Sequence, residues 1–244
     1  MNEAKNPMAK PTAILFDMGG VLLDPADEWD ETAFRVSFPE GLPVPAPLDW
    51  FLGMSGDIMQ TFLALKPPRL AMDVRPIIAA WLKRRGVATS SEETDRWFDV
   101  LCRWEARPVF DFVPPTLRAL HSRGFRMGVV SNTLMPARYI RKEFERAGIA
   151  ELFEHTVFSA EFGINKPDPA IFLHALETMQ VRPEDAWYVG DKPQRDARGA
   201  HGVGMTAVLV DSPHADRTDA VPDDVPDLRI PNIAALPDLL ERFS

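Results

Sequence analysis

A single cysteine, Cys102, stands in 244 residues. An intrachain disulfide is therefore excluded, and a reducing cytosol fits. Cys102 lies in an apolar helical stretch, where a small core residue is expected rather than a nucleophile. Positive charge is also short. Lys and Arg number 27 against 36 Asp and Glu, which leaves a formal charge of −9. No basic stripe offsets that charge, so a nucleic-acid-binding surface is not expected. The densest basic run, Lys83-Arg84-Arg85, reads as the cationic last turn of a helix ending at Gly86. No signal-peptide h-region and no apolar run of membrane-spanning length is present, so the expectation is a cytoplasmic, soluble protein without a membrane partner. His121, His155, His174, His201 and His214 show no metal-ligand spacing, and no internal repeat is visible. What is present is an ordinary globular composition, 45% hydrophobic and 26% charged. The length suits one large domain, or a core domain with a smaller one inserted.

The chain is organised around residues 12–24, TAILFDMGGVLLD. Thr12 to Phe16 is a β-prone apolar run that stops at a carboxylate, Asp17, with Gly19-Gly20 directly behind it. Such a run suits a strand buried on both faces, as in a parallel sheet under helices. Ligands of open α/β sheets bind beyond the carboxyl ends of the strands, so Asp17 is presented at the functional edge. The glycines let backbone bend closely around whatever binds there.

From Pro25 to about Pro108 the pattern is helical with proline-bearing breaks. Helices are expected over 28–38, 48–65 and 70–85, and beyond the cap-like Ser90-Ser91-Glu92-Glu93-Thr94, with a stiff connector at 39–47. Trp50, Trp81, Trp97 and Trp104 are expected to build the core of this stretch, which shows no strong strand. After Pro114-Pro115 strands and helices alternate. Strands are expected at 125–130, 156–158, 186–189 and 205–210. Helices are expected at 116–123, 137–147, 169–179, 196–201 and 233–243, with 211–231 as surface loop. This rhythm implies βαβ units with right-handed crossovers. The fold class is α/β, a doubly wound, mostly parallel sheet with a small helical insertion.

Polar clusters fall where predicted strands or their following loops end: Asp17, Ser131-Asn132, Lys166, and Asp191 with Asp196. In a doubly wound sheet these positions converge on one crevice. Several carboxylates with oxygen-rich neighbours suit a hard cation such as Mg²⁺, with a substrate phosphate completing its shell. A lysine beside them supplies charge for phosphate oxygens or for a crowded carboxylate. Asp24 and Asp168, also near these clusters, read as turn or helix caps.

With these residues in place the sequence resembles the haloacid dehalogenase superfamily. Phe16-Asp17-Met-Gly-Gly-Val-Leu is similar to its first motif and Val129-Val130-Ser131-Asn132-Thr133 to its second. Lys166-Pro-Asp-Pro-Ala-Ile-Phe172 is similar to the third. Val189-Gly190-Asp191, with Asp196 five residues on, is similar to the fourth. The resemblance covers residues 12–210, in the family's motif order. It implies a core of residues 1–24 and 109–244 with a helical cap of residues 25–108. It further implies a Mg²⁺-dependent phosphohydrolase that passes through an aspartyl-phosphate. Asp17 would be the nucleophile, and Ser131, Asn132 and Lys166 would surround the phosphate. Asp17, the Gly19 carbonyl, Asp191 and, more loosely, Asp196 would hold the metal, with Asp196 alternatively anchoring Lys166. The implied partner is a small phosphorylated metabolite; oligomeric state stays open.

One position departs from the family pattern. Where phosphatases of this superfamily carry a second Asp as general acid, two residues after the nucleophile, this chain has Gly19. Backbone metal ligation needs no side chain, but proton donation does. Two alternatives follow: a fold-sharing binding protein with little turnover, or a 2-haloacid dehalogenase. Dehalogenases of the superfamily need no metal, and Asp191 and Asp196 speak against that assignment.

Overall fold

The computed structural model describes residues 9–24, 48–65, 70–87, 89–211 and 224–243. Its sheet has six parallel strands: β1 (Ala13–Phe16), β2 (Arg126–Ser131), β3 (His155–Phe158), β4 (Ala186–Gly190), β5 (Thr206–Val210) and β6 (Leu228–Ile230). They lie in the order β3-β2-β1-β4-β5-β6. The chain winds outward from β1 to β3, returns to place β4 beside β1, and then winds the other way. The direction of winding therefore reverses between β1 and β4, where a doubly wound sheet opens its crevice. This is the α/β architecture expected from the alternation of strands and helices.

Successive strand residues point to opposite faces, and both faces are covered. Ile14, Phe16, Met127, Val129, Trp187 and Val189 join one buried cluster. Ala13, Leu15, Val130, Tyr188 and Leu209 join the other. Every residue of β1 and β4 is buried, which is why their sequences read as continuous apolar runs rather than alternations.

Between β1 and β2 lie α1 (Leu48–Leu63), α2 (Arg75–Arg84), α3 (Ser91–Glu105) and α4 (Val113–Ser122). The first three bury Phe51, Met54, Ile58, Ile78, Trp81, Leu82, Trp97, Phe98 and Leu101. Trp50 is half-buried and packs edge-on against Trp81, their centroids 5.9 Å apart. Cys102 is fully buried, as its apolar setting implied. Ser90 caps α3 by accepting from Glu93 N–H at 3.2 Å. Glu93 does not reach back as a capping box requires; it accepts from Trp97 Nε1 instead. The expected helix at 28–38, the connector at 39–47 and the Trp104 side chain lie outside the described residues. No described helix is long and apolar enough to cross a membrane.

The remaining helices are α5 (Ala137–Arg146), α6 (Ser159–Phe162), α7 (Pro169–Met179), α8 (Arg198–Val203) and α9 (Leu236–Leu240). Several boundaries differ from the sequence reading, each for a physical reason. Pro114-Pro115 does not precede α4 but sits in its first turn, where a missing N–H breaks no helical bond. Residues 70–74 do not open α2. Leu70 bridges Ile164, and Ala71 N–H donates to Gly163 O at 2.9 Å, so backbone bonding to a distant loop replaces helix there. Asp196 belongs to a wide five-residue turn, Pro193–Ala197, ahead of α8. Residues 228–230 are not loop but the edge strand β6, too short to show a period. The closing helix is confined to α9, with 3₁₀ turns on either side.

Candidate active site

The parallel register sets Phe16 level with Val129 of β2 and Val189 of β4. Asp17 N–H extends the ladder by donating to Val189 O at 2.8 Å. The Asp17 carboxylate consequently emerges at the reversal point, 5% exposed. Its Oδ1 accepts from Ser131 Oγ at 2.7 Å and from Lys166 Nζ at 2.9 Å. Its Oδ2 has no hydrogen bond among the described residues.

Lys166 is 1% exposed. Besides Asp17, its ammonium donates to Asp196 Oδ1 at 2.7 Å and to Tyr188 Oη at 2.6 Å, so three acceptors meet its three donors. The Tyr188 hydroxyl passes its own proton to Val130 O at 2.7 Å. Asn132 clasps the lysine's backbone: its Oδ1 accepts from Lys166 N–H at 2.7 Å, and its Nδ2 donates to Lys166 O at 3.1 Å. Asp168 caps α7 through Ala170 N–H, which fixes the same loop from the far side.

Asp191 and Asp196 do different things. Asp196 is fully spent: Oδ1 holds Lys166, and Oδ2 accepts from the backbone N–H groups of Asp191 at 3.0 Å and Lys192 at 2.8 Å. This folding-back requires Gly190, because a Cβ there would lie 2.4 Å from the Asp196 side chain. Asp191 is 1% exposed. Its Oδ2 pairs with Lys192 Nζ at 3.0 Å, while its Oδ1 is buried with no hydrogen-bond partner. Ligand atoms of Asp17, Asp191 and Asp196 lie within 4.8 Å of one another. Nearby, an isolated bridge is closed by Leu23 N–H on Met18 O and Gly20 N–H on Leu23 O. Neither polar group of Gly19 is consumed in it.

An orphaned Asp191 oxygen and an Asp17 oxygen without a hydrogen bond among the described residues belong to one all-oxygen group of carboxylates. That chemistry fits a hard divalent cation. Asp196 lies in the same group, and both of its oxygens are engaged, Oδ1 by Lys166 and Oδ2 by two backbone N–H groups.

Electrostatics sharpen the contrast. Burial pushes the Asp17 carboxyl up, but the Lys166 ammonium, then the Arg195 guanidinium, and the hydrogen bonds from Lys166 and Ser131 outweigh it. Asp17 is held below the usual carboxylate range and is ionised at neutral pH. Asp191 is pushed up to about 6, first by burial and then by the charges of Asp196 and Asp17, with Lys192 offsetting only part. Burial, then Asp196 and Asp17, raise the Tyr188 phenol well above its ordinary value, so it stays neutral.

The Asp191 shift carries a stability prediction. Folded Asp191 holds its proton more tightly than the unfolded chain does, so stability falls as pH rises from 3.8 to about 6. Above that range the penalty is complete, on the order of 2–3 kcal/mol at 1.36 kcal/mol per pH unit. Without divalent cations, Asp191→Asn is expected to raise the unfolding free energy by that order at pH 8 and scarcely at pH 4. Urea denaturation at both pH values checks this; an equal effect at the two would remove the buried charge as its cause.

Asp17, Ser131, Lys166, Asp191 and Asp196 therefore meet at one crevice, and Asn132 reaches it through the Lys166 backbone. Sequence reasoning missed Tyr188, whose signal was a polar-tipped aromatic inside a wholly buried strand, where its hydroxyl needs a partner. It also missed Lys192 and Arg195, two cations in the loop between Asp191 and Asp196.

Residues 11–204 match the family model for a haloacid dehalogenase-like hydrolase. The chain belongs to that family. Among curated relatives, a glyceraldehyde 3-phosphate phosphatase of Methanopyrus kandleri is 36% identical over 133 residues, covering 54% of this chain and 56% of that protein. A phosphoserine phosphatase of Thermus thermophilus is 36% identical over 123 residues, covering 50% and 47%. The chain thus spans about half the length of the curated relatives it matches. Among solved structures, a 2-haloacid dehalogenase from Pseudomonas syringae pv. Tomato superimposes with a TM-score of 0.68 at 28% identity, covering 96% of this chain and all of that one. The magnesium-bound HAD-hydrolase YfnB of Bacillus subtilis gives 0.71 at 20% identity, covering 95% and 99%, which speaks for the fold alone. As a haloacid dehalogenase-like hydrolase, this chain keeps a charged carboxylate at the end of β1 beside a fixed lysine and a buried acid with a free oxygen.

Proposed function

We propose that this hydrolase is a Mg²⁺-dependent phosphatase of small phosphorylated metabolites that works through an aspartyl-phosphate. The observation that carries the reading is Asp17: an ionised carboxylate with Oδ1 tethered and Oδ2 without a hydrogen bond among the described residues, grouped within 4.8 Å with the buried Asp191, whose Oδ1 has no partner. In this reading Oδ2 attacks phosphorus in line with the departing oxygen, and water then hydrolyses the acyl phosphate formed on Asp17. Lys166 keeps the nucleophile charged. With Ser131 it borders the equatorial phosphoryl oxygens, exchanging the Asp17 contacts for contacts to the transferred group. Asn132 and Asp196 hold Lys166 from its backbone and from its ammonium. Asp17, Asp191 and the Gly19 carbonyl would hold the Mg²⁺, which when bound neutralises charge between carboxylate and phosphate. The helices over 48–105 form, in the same reading, the inner part of a cap over residues 25–108, against a core of 1–24 and 109–244. The cap side chains would choose the substrate.

A second reading, carbon–halogen hydrolysis with Asp17 as nucleophile, draws on the 28%-identical 2-haloacid dehalogenase. It gives the unsatisfied Asp191 carboxylate no task. Release of phosphate from aryl and sugar phosphates with and without Mg²⁺, run beside halide release from 2-haloacids, decides between the two. No turnover in either assay leaves a binding protein on this fold.

The charges predict how metal and substrate depend on each other. Asp17, Asp191 and Asp196 are matched by Lys166, Lys192 and Arg195, so the crevice is close to neutral. Either Mg²⁺ or a phosphate dianion alone unbalances it; together they restore the balance. Saturating orthophosphate is expected to tighten Mg²⁺ binding by about 10-fold or more, with the reciprocal effect on orthophosphate. Titration calorimetry reads both, and Asp191→Ala should abolish the coupling. Independent binding of the two would place the metal elsewhere.

A further inference from the structure

The segment that leads into α2 runs against the loop that ends at Lys166. Leu70 bridges Ile164 in antiparallel register, and Ala71 N–H donates to Gly163 O at 2.9 Å. Asn165 completes the contact: its Nδ2 donates to Leu70 O at 3.0 Å, across 95 residues of sequence. Leu70 contributes backbone here rather than packing, since it is 57% exposed, whereas Asn165 is buried. The Asn165 carbonyl accepts from Asp168 N–H at 3.1 Å, which closes the turn around Lys166-Pro167. One residue thus uses its side chain to grip the segment ahead of α2 and its main chain to close the turn that carries the lysine. The strap so formed joins a part of the chain between β1 and β2 to the catalytic centre.

We propose that Asn165 is a positioning residue, which uses the backbone ahead of α2 to hold the Lys166 main chain in place while the lysine ammonium changes partners. The inference rests on the phosphatase reading above and deepens it. In the resting site the ammonium is fixed by Asp17, Asp196 and Tyr188. When a phosphoryl group arrives, the contact with Asp17 is exchanged for contacts to its oxygens, and the ammonium fixes its own main chain less firmly. The main chain must then be held from outside. Asn132 supplies one hold, through Lys166 N–H and O. Asn165 supplies the other, one residue before the lysine, and anchors it on a different part of the chain. Donors act on a transition state only when they are already in place for it. A displacement of about 1 Å can cost up to about 10² in rate. Asn165 touches no reacting atom, and no bond to it forms or breaks.

The test cuts the strap from either side. Asn165→Ala removes the side-chain donor, Ala71→Pro removes the N–H that faces Gly163, and a third variant carries both changes. Each is compared with wild type for turnover of p-nitrophenyl phosphate and acetyl phosphate, for hydrogen exchange over residues 163–168, and for thermal melting. Each single variant is expected to lower kcat about 10-fold on both substrates, inside the range that a small misplacement costs. KM should change by less than about three-fold, because the loss falls on the transition state rather than on uniform binding. Exchange over residues 163–168 should quicken as the turn loosens. The double variant should lose no more than the worse single one, since both cut the same strap, whereas independent effects would multiply. Acetyl phosphate has almost no leaving group to recognise, so a loss common to both substrates belongs to the phosphoryl centre. An active wild type with both single variants within about two-fold of it in kcat overturns the inference alone. So do losses confined to p-nitrophenyl phosphate, losses that multiply in the double variant, or unchanged exchange over residues 163–168. If Asn165→Ala does not fold, Ala71→Pro decides by its kcat, KM and exchange, since Ala71 is only half-buried and lies outside α2. A wild type that hydrolyses no phosphate ester overturns the phosphatase reading, and the inference with it.

Discussion

Asp17→Asn is expected to reduce phosphate-ester turnover by on the order of 10⁴–10⁶, the scale on which removal of an enzyme's nucleophile is felt. The amide keeps the shape of the carboxylate and can still accept from Ser131 and Lys166 through its oxygen, but it cannot attack phosphorus. The fold survives because Lys166 retains Asp196 and Tyr188. Some stability is nevertheless lost at neutral pH. The Asp17 carboxyl titrates lower in the folded protein than in the unfolded chain, so its charge stabilises the fold above about 3.8 and ceases to as pH falls through the folded value. The variant should therefore be less stable than wild type at pH 7 and equal to it in strong acid. Acid-quenched wild type, caught during turnover, should carry phosphate on the peptide that contains Asp17, and the variant none. Turnover within a few-fold of wild type would assign the nucleophile elsewhere.

The parts of this centre that were legible in the sequence are those fixed by topology. Asp17 and Asp191 each follow a strand so apolar that burial on both faces is its simplest explanation, and parallel strands deliver their ends to one edge. Ser131 is the last residue of β2 for the same reason. What sequence could not assign is which atoms remain free once the side chains have met. Asp191 and Asp196 are equivalent as letters. They differ because Gly190 admits the Asp196 side chain against its own backbone, where two N–H groups and Lys166 use up its oxygens, while Asp191 Oδ1 finds no donor. Tyr188 was hidden by lying within the apolar run of β4 that made the strand legible. The same limit applies to the fold. Pro114-Pro115 reads as an interruption until the first turn of α4 is placed on it, and β6 is three residues of edge strand whose only period is its contact with β5.

Gly19 is where the chain departs from its family, and the structure shows what a side chain there would meet. Its backbone φ lies outside the left-handed region, which falls instead to Gly20 at +78°. A Cβ built on Gly19 has nothing within 4 Å. Gly19→Asp is therefore expected to fold, whereas Gly20→Asp would strain the turn. The space left by the absent side chain also means that no residue at position 19 protonates the leaving oxygen. Leaving-group basicity should then control the wild-type rate. Aryl phosphates, whose phenols have a pKa of ~10 or lower, and acyl phosphates should outpace alkyl phosphates by about 10²–10⁴, the factor that general acid catalysis ordinarily supplies. Gly19→Asp should narrow that gap by accelerating alkyl esters while leaving aryl esters nearly unchanged, because only the poor leaving group gains from a proton. The measurement is kcat/KM against leaving-group pKa for both proteins, with thermal melting to establish that the variant is folded. A flat dependence in the wild type would place a working proton donor on another element, with α1, α2 and α3 as the first place to look. A steep dependence that Gly19→Asp fails to relieve would mean that a carboxyl at this position does not reach the departing oxygen.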